Sequence, residues 1–542
     1  MTGDSSNAPI HKRAVAQGLA TALEGHGVRR LFGIPGGGSS LDVIDAAGDR
    51  GMEFILAKGE TSAAIMAAVT AELSGVPGVI LTGIGPGAAS AVNGIAYAAL
   101  ERSPVLLITD CFEDTPGLRS LHQRFDQGAL YAPLVKAYRR LSADDGARVI
   151  EELLQTALDH PQGPVHIDLS TQQAAAPLAA GEARPAAAPP PAEVDLAAAR
   201  ILLSGAKRPV VVAGLQARDA PAAAALSTLV DALDCPLLAT YKAKGVFPEN
   251  DRRCIGMFTG ATAEFDCIAS ADLIVFFGLD PVELIPQPWP LQAPVLDLSP
   301  VPGQLHPVVP TVAVAGPLAF LVEGVADAAE KSAWTTEKIA TLRDELRRRL
   351  SMESGGKRNA QAVVEAVGRA APAGVRLSVD SGAHMFSAMA FWESRGPYDV
   401  LKSSGLSTMG YALPAAIASA LHEPGRPAVA MTGDGGLMMC LAELATAVRY
   451  DLNIVVVVFN DAALSLIDIK QQRQQRQSRG VRYPAVDLAA AARGLGCRAW
   501  RVDEGAPLEP VLAEAFAGTG PAVVDVIVDP AGYGAQLAGL RS

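Results

Sequence analysis

Short apolar runs alternate along the whole chain with longer amphipathic or alanine-rich stretches. Gly78–Thr82, Val105–Thr109, Pro209–Ala213, Leu273–Gly278, Val295–Leu298, Ala428–Thr432 and Ile454–Asn460 are such runs, of four to seven residues. Apolar on both faces, they predict buried strands of parallel sheets. Thr61–Leu73, Pro221–Leu233 and Leu437–Tyr450 predict the helices between them. Two stretches read as linkers. Gln172–Asp195 is rich in Ala and Pro, with the stiff triple proline Pro189–Pro191. Ser332–Asn359 carries a charged surface helix over Thr341–Leu350. The pattern therefore predicts an α/β fold of three doubly wound parallel-sheet domains, over 8–172, 195–331 and 359–535.

Composition supports that picture. The 542 residues are 49% apolar and 19% charged, which excludes global disorder. A net charge of −12, from 57 acidic and 45 basic residues, argues against nucleic acid as the main partner. The six cysteines form no C-x-x-C pair, so neither a disulfide framework nor structural zinc is expected. The N-terminus lacks an apolar signal core, and no apolar run nears the roughly 20 residues of a membrane helix. The expectation is a cytoplasmic protein without a membrane partner.

In open parallel sheets ligands bind beyond the carboxyl ends of the strands. The richest such stretch is Gly433–Asp461, one βαβ unit. Asp434 follows its first strand and Asp461 its second, so a right-handed crossover brings them side by side with Asn460. Hard oxygen ligands suit magnesium or calcium. Gly433, Gly435 and Gly436 leave backbone N–H groups bare at a helix start, where a phosphate is favoured. Metal and phosphate on one turn suggest a metal-bridged diphosphate. A glycine turn with a capping Asp is the plainer alternative.

GDGG, an apolar helix and then FND resemble the motif of thiamine-diphosphate enzymes, and the likeness, closest to the acetolactate synthase branch, covers nearly the whole chain. It implies that the first and third domains bind the cofactor's pyrimidine and diphosphate. Asp434, Asp461 and the Ala463 carbonyl would hold Mg2+, with Asp461 standing where the family usually has Asn. LFGIPGGGSS, containing Gly36, and LAKGETSAAIMA resemble further family segments. Glu60 aligns with the glutamate that hydrogen-bonds the pyrimidine and drives proton removal from the thiazolium carbon. Without the resemblance, Glu60 is simply a carboxylate at a helix start.

TGIGPGAASAVNG resembles the segment that supplies Gly85 and Pro86. It also carries a weak dinucleotide fingerprint, Gly83-x-Gly85-x-x-Ala88, with Asp110 ending the next strand. LHQRFDQGALYAPLVKAY supplies Gln123 as the active-site glutamine, His122 in place of a usual Phe, and Lys136. SVDSGAHMF places His384 on the diphosphate, and SSGLSTMGYALPAA places Met409 beneath the cofactor and the Ser407 carbonyl on its aminopyrimidine. Leu466 and Ile467 replace the branch's Met-Val beside the cofactor.

No His-His pair occurs, and Ile467 occupies the late-Glu position of simple decarboxylases. The resemblance then implies a carboligase or lyase that decarboxylates or cleaves a 2-oxo acid and transfers the enamine to a second carbonyl. A simple decarboxylase is the alternative. It also implies a homodimer or homotetramer with active sites at the dimer interface, and leaves FAD in the central domain open. Basic residues at 470, 473, 476, 479 and 482 approximate one helical stripe, solvated or attracting an anionic substrate.

Overall fold

The computed structural model describes residues 14–113, 122–179, 195–285, 289–353 and 355–541. The described residues up to 179 form one compact unit and those from 195 onward a second.

The first unit holds an all-parallel six-stranded sheet: β1 (Arg30–Ile34), β2 (Glu53–Leu56), β3 (Gly78–Thr82), β4 (Val105–Cys111), β5 (Tyr138–Arg140) and β6 (Val165–Ser170). Its order is β2-β1-β3-β4-β6-β5. The runs VILT and VLLIT are buried throughout because helices cover both faces, as their unbroken apolar character requires.

The second unit holds two sheets. One contains β7 (Pro209–Ala213), β8 (Leu237–Ala239), β9 (Cys254–Met257), β10 (Leu273–Phe277), β11 (Val295–Ser299) and β12 (Val312–Ala315). The other contains β13 (Arg376–Val379), β14 (Val400–Lys402), β15 (Ala428–Gly433), β16 (Ile454–Asn460), β17 (Arg498–Val502) and β18 (Ala522–Ile527). Their orders are β12-β11-β10-β7-β8-β9 and β14-β13-β15-β16-β18-β17. The first and third sheets thus share one connectivity, whereas the central sheet has another. Buried residues of the two sheets of the second unit belong to one hydrophobic cluster.

Three expectations change. Ser332–Asn359 is no free linker: the helix Thr336–Leu350 buries Ile339, Leu342, Leu346 and Leu350, one apolar stripe at helical spacing. Thr335 caps that helix, and Arg349 Nη1 donates to Thr262 O at 3.1 Å. The helix expected over Leu437–Tyr450 is two, Asp434–Cys440 and Glu443–Arg449, and it starts three residues earlier, at Asp434. The basic stripe is not a helix face. The helix Ser465–Arg473 ends within it, Arg482 turns back to pair with Asp468 at 2.7 Å, and Arg473 donates to Gly534 O. The other expected linker contributes the short helix Thr171–Ala175, and its triple proline lies outside the described residues. Among the described residues no helix is long and apolar enough to cross a membrane.

Candidate active site

In the first unit the strand order reverses between β1 and β3, where a ligand crevice is expected. Gly36 follows β1, and Gly85 and Pro86 follow β3. Glu60 opens the helix Glu60–Ser74, which follows β2. A methyl group at Gly87 would lie 3.4 Å from Glu60 Oε1, so the turn after β3 passes close to that carboxylate. Gly85 has φ +63°, and a methyl there would stand 2.6 Å from the Gln123 carbonyl oxygen, so only glycine fits. Gln123 itself is exposed with φ +56°, and His122 is exposed. The structure thus brings Glu60, Gly85, Pro86 and the Gln123 backbone together at one edge. Lys136 is not among them; its Nζ donates to Asp159 O at 2.6 Å and to Thr156 O.

Beneath this edge lies a buried network. Gln127 Oε1 accepts the Gly85 N–H at 3.1 Å, and its Nε2 donates to Asp168 Oδ1 at 2.7 Å. Asp168 also accepts from Thr109 and, at 2.8 Å, from the Tyr138 hydroxyl. Burial works against its ionisation, but His166 and these donors prevail and hold its pKa low. Burial, with the Glu60 charge adding, pushes the Tyr131 hydroxyl up. The dinucleotide alternative loses its acidic partner. Asp110 accepts from Ser39 Oγ and Ser40 N, each at 2.7 Å, and from Ser40 Oγ at 2.9 Å, so it is committed to the chain.

In the second unit the third sheet reverses between β13 and β15. A cavity of about 320 Å³ opens there, lined by His384, Ser407, Met409, Gly433, Asp434, Gly435, Gly436, Asp461, Ala463 and Leu466, the full set expected in this domain. Asp434 follows β15 and Asp461 follows β16, and these strands pair in register, Gly433 opposite Phe459. Asp434 Oδ1 accepts the Gly435 N–H and its Oδ2 the Ala462 N–H, both at 2.8 Å. The Gly435 N–H is therefore not bare. Ala462 has φ +56°, which turns the chain so that Ala463 faces Arg482. The hydrogen bonds of that bridge run from Leu464 N to Val481 O and from Tyr483 N to Ala462 O, so the Ala463 carbonyl takes no part in them.

Asn460 does not join the carboxylates. Side chains alternate along a strand, so Phe459 faces the cavity while Asn460 Nδ2 reaches Asp525 Oδ1 at 2.9 Å and Val486 O at 3.1 Å.

Burial raises the Asp434 carboxyl pKa, and burial with the neighbouring Asp434 charge lifts Asp461 from 3.8 to about 6. Two carboxyls brought together out of water resist ionising side by side, and a cation between them would relieve that. Among the described residues no three His, Cys, Asp or Glu side chains cluster to hold a metal, so two carboxylates and a carbonyl need oxygens from a ligand to complete the shell. His384 is 3% exposed and stacks on Phe459 at 5.0 Å. Burial pushes its pKa down to about 4, so the ring is neutral near pH 7. Its Nε2 and the Ser381 Oγ are buried on this wall without a partner among the described residues. A methyl at Gly435 would lie 2.8 Å from Leu464 Cδ2 and 3.1 Å from the Tyr483 hydroxyl, which would fill the cradle. Two carboxylates, unpartnered polar atoms and an open glycine turn fit a metal-bound diphosphate.

Three residues here escaped sequence reasoning. Asp380, fully buried, accepts from Thr432 Oγ1 at 2.8 Å, Gly410 N at 3.1 Å and Tyr411 N at 3.3 Å, tying together the segments around Met409 and Gly433. Burial lifts it to about 6 against those hydrogen bonds. Its place directly after β13 was the available signal. Tyr483 and Tyr533 stand beside Asp434 and Asp461, where burial and the two carboxylates push both phenols up. No local sequence pattern marks them. Ser407, where the resemblance expects Gly, has φ +54°: the turn keeps the glycine-like conformation without the glycine.

Residues 13–132, 196–324 and 380–526 match, in turn, the N-terminal TPP binding domain, the central domain and the C-terminal TPP binding domain of thiamine pyrophosphate enzymes. The chain is 30% identical to the catabolic acetolactate synthase of Raoultella terrigena, over 96% of both chains. It is 28% identical to the acetolactate synthase of Bacillus subtilis, over 96% of this chain and 94% of that one. The pyruvate oxidase of Lactiplantibacillus plantarum is 29% identical, over 93% of this chain and 87% of its own.

Proposed function

The chain belongs to the thiamine pyrophosphate enzymes, on their acetolactate synthase-like branch, and from that premise we propose that it is a carboligase or lyase that decarboxylates or cleaves a 2-oxo acid and joins the remaining fragment to a second carbonyl carbon. The observation that carries this reading is the Asp434/Asp461 pair at adjacent strand ends, on one cavity wall with the unpartnered His384 Nε2. Bound thiamine diphosphate would supply a carbon nucleophile that also holds the electron pair left behind when CO2 departs.

The residues divide the remaining work. Asp434, Asp461 and the Ala463 carbonyl would hold Mg2+, and His384 Nε2 would meet the diphosphate. Met409 would support the cofactor, and the Ser407 carbonyl would accept from its amino group. Glu60 would hydrogen-bond the pyrimidine and exchange a proton with it. Leu466 and the half-exposed Ile467 exclude water from the reacting carbon and offer it no proton, which favours attack on a second carbonyl over protonation. Lys470, one turn beyond Ile467, is the one Lys or Arg among the residues that line the cavity, and there it attracts the carboxylate of a 2-oxo acid. The units of work are 8–172, 195–331 and 359–535. The assembly is a cytoplasmic homodimer or homotetramer with active sites at the dimer interface.

Incubating the purified protein with pyruvate, thiamine diphosphate and Mg2+, and identifying products by NMR, tests the reading. A carbon–carbon ligation product such as acetolactate is expected. Acetaldehyde alone would favour a simple decarboxylase with the exposed His122 as proton donor, and no cofactor-dependent turnover of any 2-oxo acid would overturn the proposal.

A further inference from the structure

The central sheet carries its own ligand crevice, and the chain has closed it. Its strand order reverses between β7 and β10, so a dinucleotide would lay its diphosphate across the turn that follows β7, on backbone N–H groups. Those donors are committed. The Gly214 N–H donates to Phe277 O at 3.0 Å, Gln216 N–H to Gly278 O at 2.8 Å and Ala217 N–H to Gly214 O at 2.9 Å. The remaining one, Leu215 N–H, donates to Glu283 Oε2 at 2.7 Å. The same oxygen accepts the Asp280 N–H at 3.2 Å, and Oε1 accepts the Thr240 hydroxyl at 2.5 Å.

Directly over Gly214 there is also no room, although Thr240 and Glu283 line a neighbouring cavity of about 290 Å³. A methyl at Gly214 would stand 2.4 Å from Leu279 Cα and 2.7 Å from Glu283 Oε2. Above the turn, Gln216 Nε2 bridges Asp280 Oδ2 at 3.0 Å and Gln304 Oε1 at 2.7 Å, and Ser299 Oγ donates to Gln216 Oε1 at 3.2 Å. Gln304 Nε2 reaches back to Leu279 O at 3.0 Å. Arg218, the nearby cation, donates to Leu215 O and rests on the Tyr398 ring at 4.8 Å. A carboxylate of the chain thus sits where a ligand's anion would sit, and an amide lattice spans β7, β10 and β11.

We infer that the central domain does not take a flavin dinucleotide, because Glu283 occupies the phosphate position of its crevice and Gln216, Asp280 and Gln304 lock it shut. The inference deepens the reading of the third sheet as the thiamine site: electrons released from a 2-oxo acid then have a carbonyl carbon, not a flavin, as their destination.

Flavin absorbance of the purified full-length chain, before and after incubation with excess FAD and gel filtration, tests this separately from carboligation. No co-eluting flavin is expected. Near-stoichiometric flavin, as purified or after reconstitution, would overturn the inference whatever the product assay shows. Glu283→Ala vacates the position and exposes the Leu215 N–H. Flavin retained by this variant alone identifies Glu283 as the barrier, and flavin retained by neither protein identifies the interlocked amides. Thiamine diphosphate binding, followed by calorimetry on the same samples, reports on the thiamine reading independently.

Discussion

Two crevices of the second unit sit at equivalent places, each where strand order reverses in a parallel sheet, and they have opposite chemistry. In the central sheet Glu283 is hydrogen-bonded by two backbone N–H groups and the Thr240 hydroxyl, and every donor of the turn after β7 is used. In the third sheet Asp434 and Asp461 face each other beside a 320 Å³ cavity, with His384 Nε2 and Ser381 Oγ unpartnered. Asp297 Oδ1 and His306 Nδ1, beside the central crevice, are unpartnered too, so the contrast rests on the open cavity and the paired carboxylates of the third sheet. The difference therefore separates a scaffold crevice from a working one more sharply than topology does.

Removing the carboxylate from each crevice should break the comparison most visibly. Asp434→Ala takes away a proposed metal ligand and is expected to weaken thiamine diphosphate retention, measured by calorimetry in Mg2+, by a hundredfold or more, about 3 kcal/mol. Glu283→Ala should leave that affinity within about a factor of three, on the order of 0.6 kcal/mol. Equal losses in the two variants would mean that the central crevice shapes the third, and would remove the contrast.

The next effect belongs to the first unit, which shares its sheet order with the third sheet and carries the proposed role of Glu60. Glu60→Gln keeps a hydrogen-bonding group of the same size but cannot give up or take a proton at that position. Cofactor binding should persist while exchange of the thiazolium C2 proton with deuterium slows by about a hundredfold, near 3 kcal/mol in barrier. NMR reads this exchange without any substrate. Wild-type rates would reduce Glu60 to a helix-start carboxylate.

A pH experiment sharpens the picture of the closed crevice. Burial, reinforced by the Asp280 charge, lifts Glu283 from 4.5 to about 7 against the Leu215 and Thr240 hydrogen bonds. Its folded-state pKa is raised, so between those values the folded chain binds more protons than the unfolded one, and stability falls as pH rises from 4.5 through 7. The loss is at most about 3 kcal/mol, trimmed by the water that reaches part of this residue. Glu283→Gln cannot ionise, so its melting temperature should fall less than that of wild type over this range. Parallel curves would show that the carboxyl ionises freely.

Much of this contrast was legible in the chain and part was not. Short runs rich in β-branched residues such as IVVVVF and VLLIT mark buried parallel strands, whereas the helix Ala412–His422, buried from Ala412 to Leu421, is longer and rich in Ala. The strand-following Asp434 and Asp461 were legible for the same reason: a strand's end fixes where the next residue stands. Asn460 was misplaced because alternation sends it to the opposite face from Phe459. The helix after Gly433 breaks at Leu441–Ala442, where no Gly or Pro announces it. The basic run fails as a stripe because regular spacing does not keep a helix going past Arg473. Glu283 and Tyr483 were invisible, since each acts on residues dozens of positions away, which only the fold brings near.

The smallest expected effect lies at the rim of the open cavity. Lys470 is exposed and stands on the helix Ser465–Arg473, one turn beyond Ile467, so its charge is largely screened and its contribution is that of a surface pair. The carboxylates it could pair with inside the cavity are Asp434 and Asp461, which the metal reading commits elsewhere. Lys470→Gln should then raise KM for an anionic 2-oxo acid about threefold to tenfold, roughly 0.6–1.4 kcal/mol, and leave kcat unchanged, because the interaction holds the ground state and the transition state alike. Lys470→Arg should restore KM, and raising the salt concentration should shrink the difference between wild type and Lys470→Gln. A neutral aldehyde offered as the second carbonyl partner should show no KM change at all. A fall in kcat with every acceptor would instead place Lys470 in the reacting geometry, and the apolar wall of Leu466 and Ile467 would no longer be the whole boundary between cofactor and solvent.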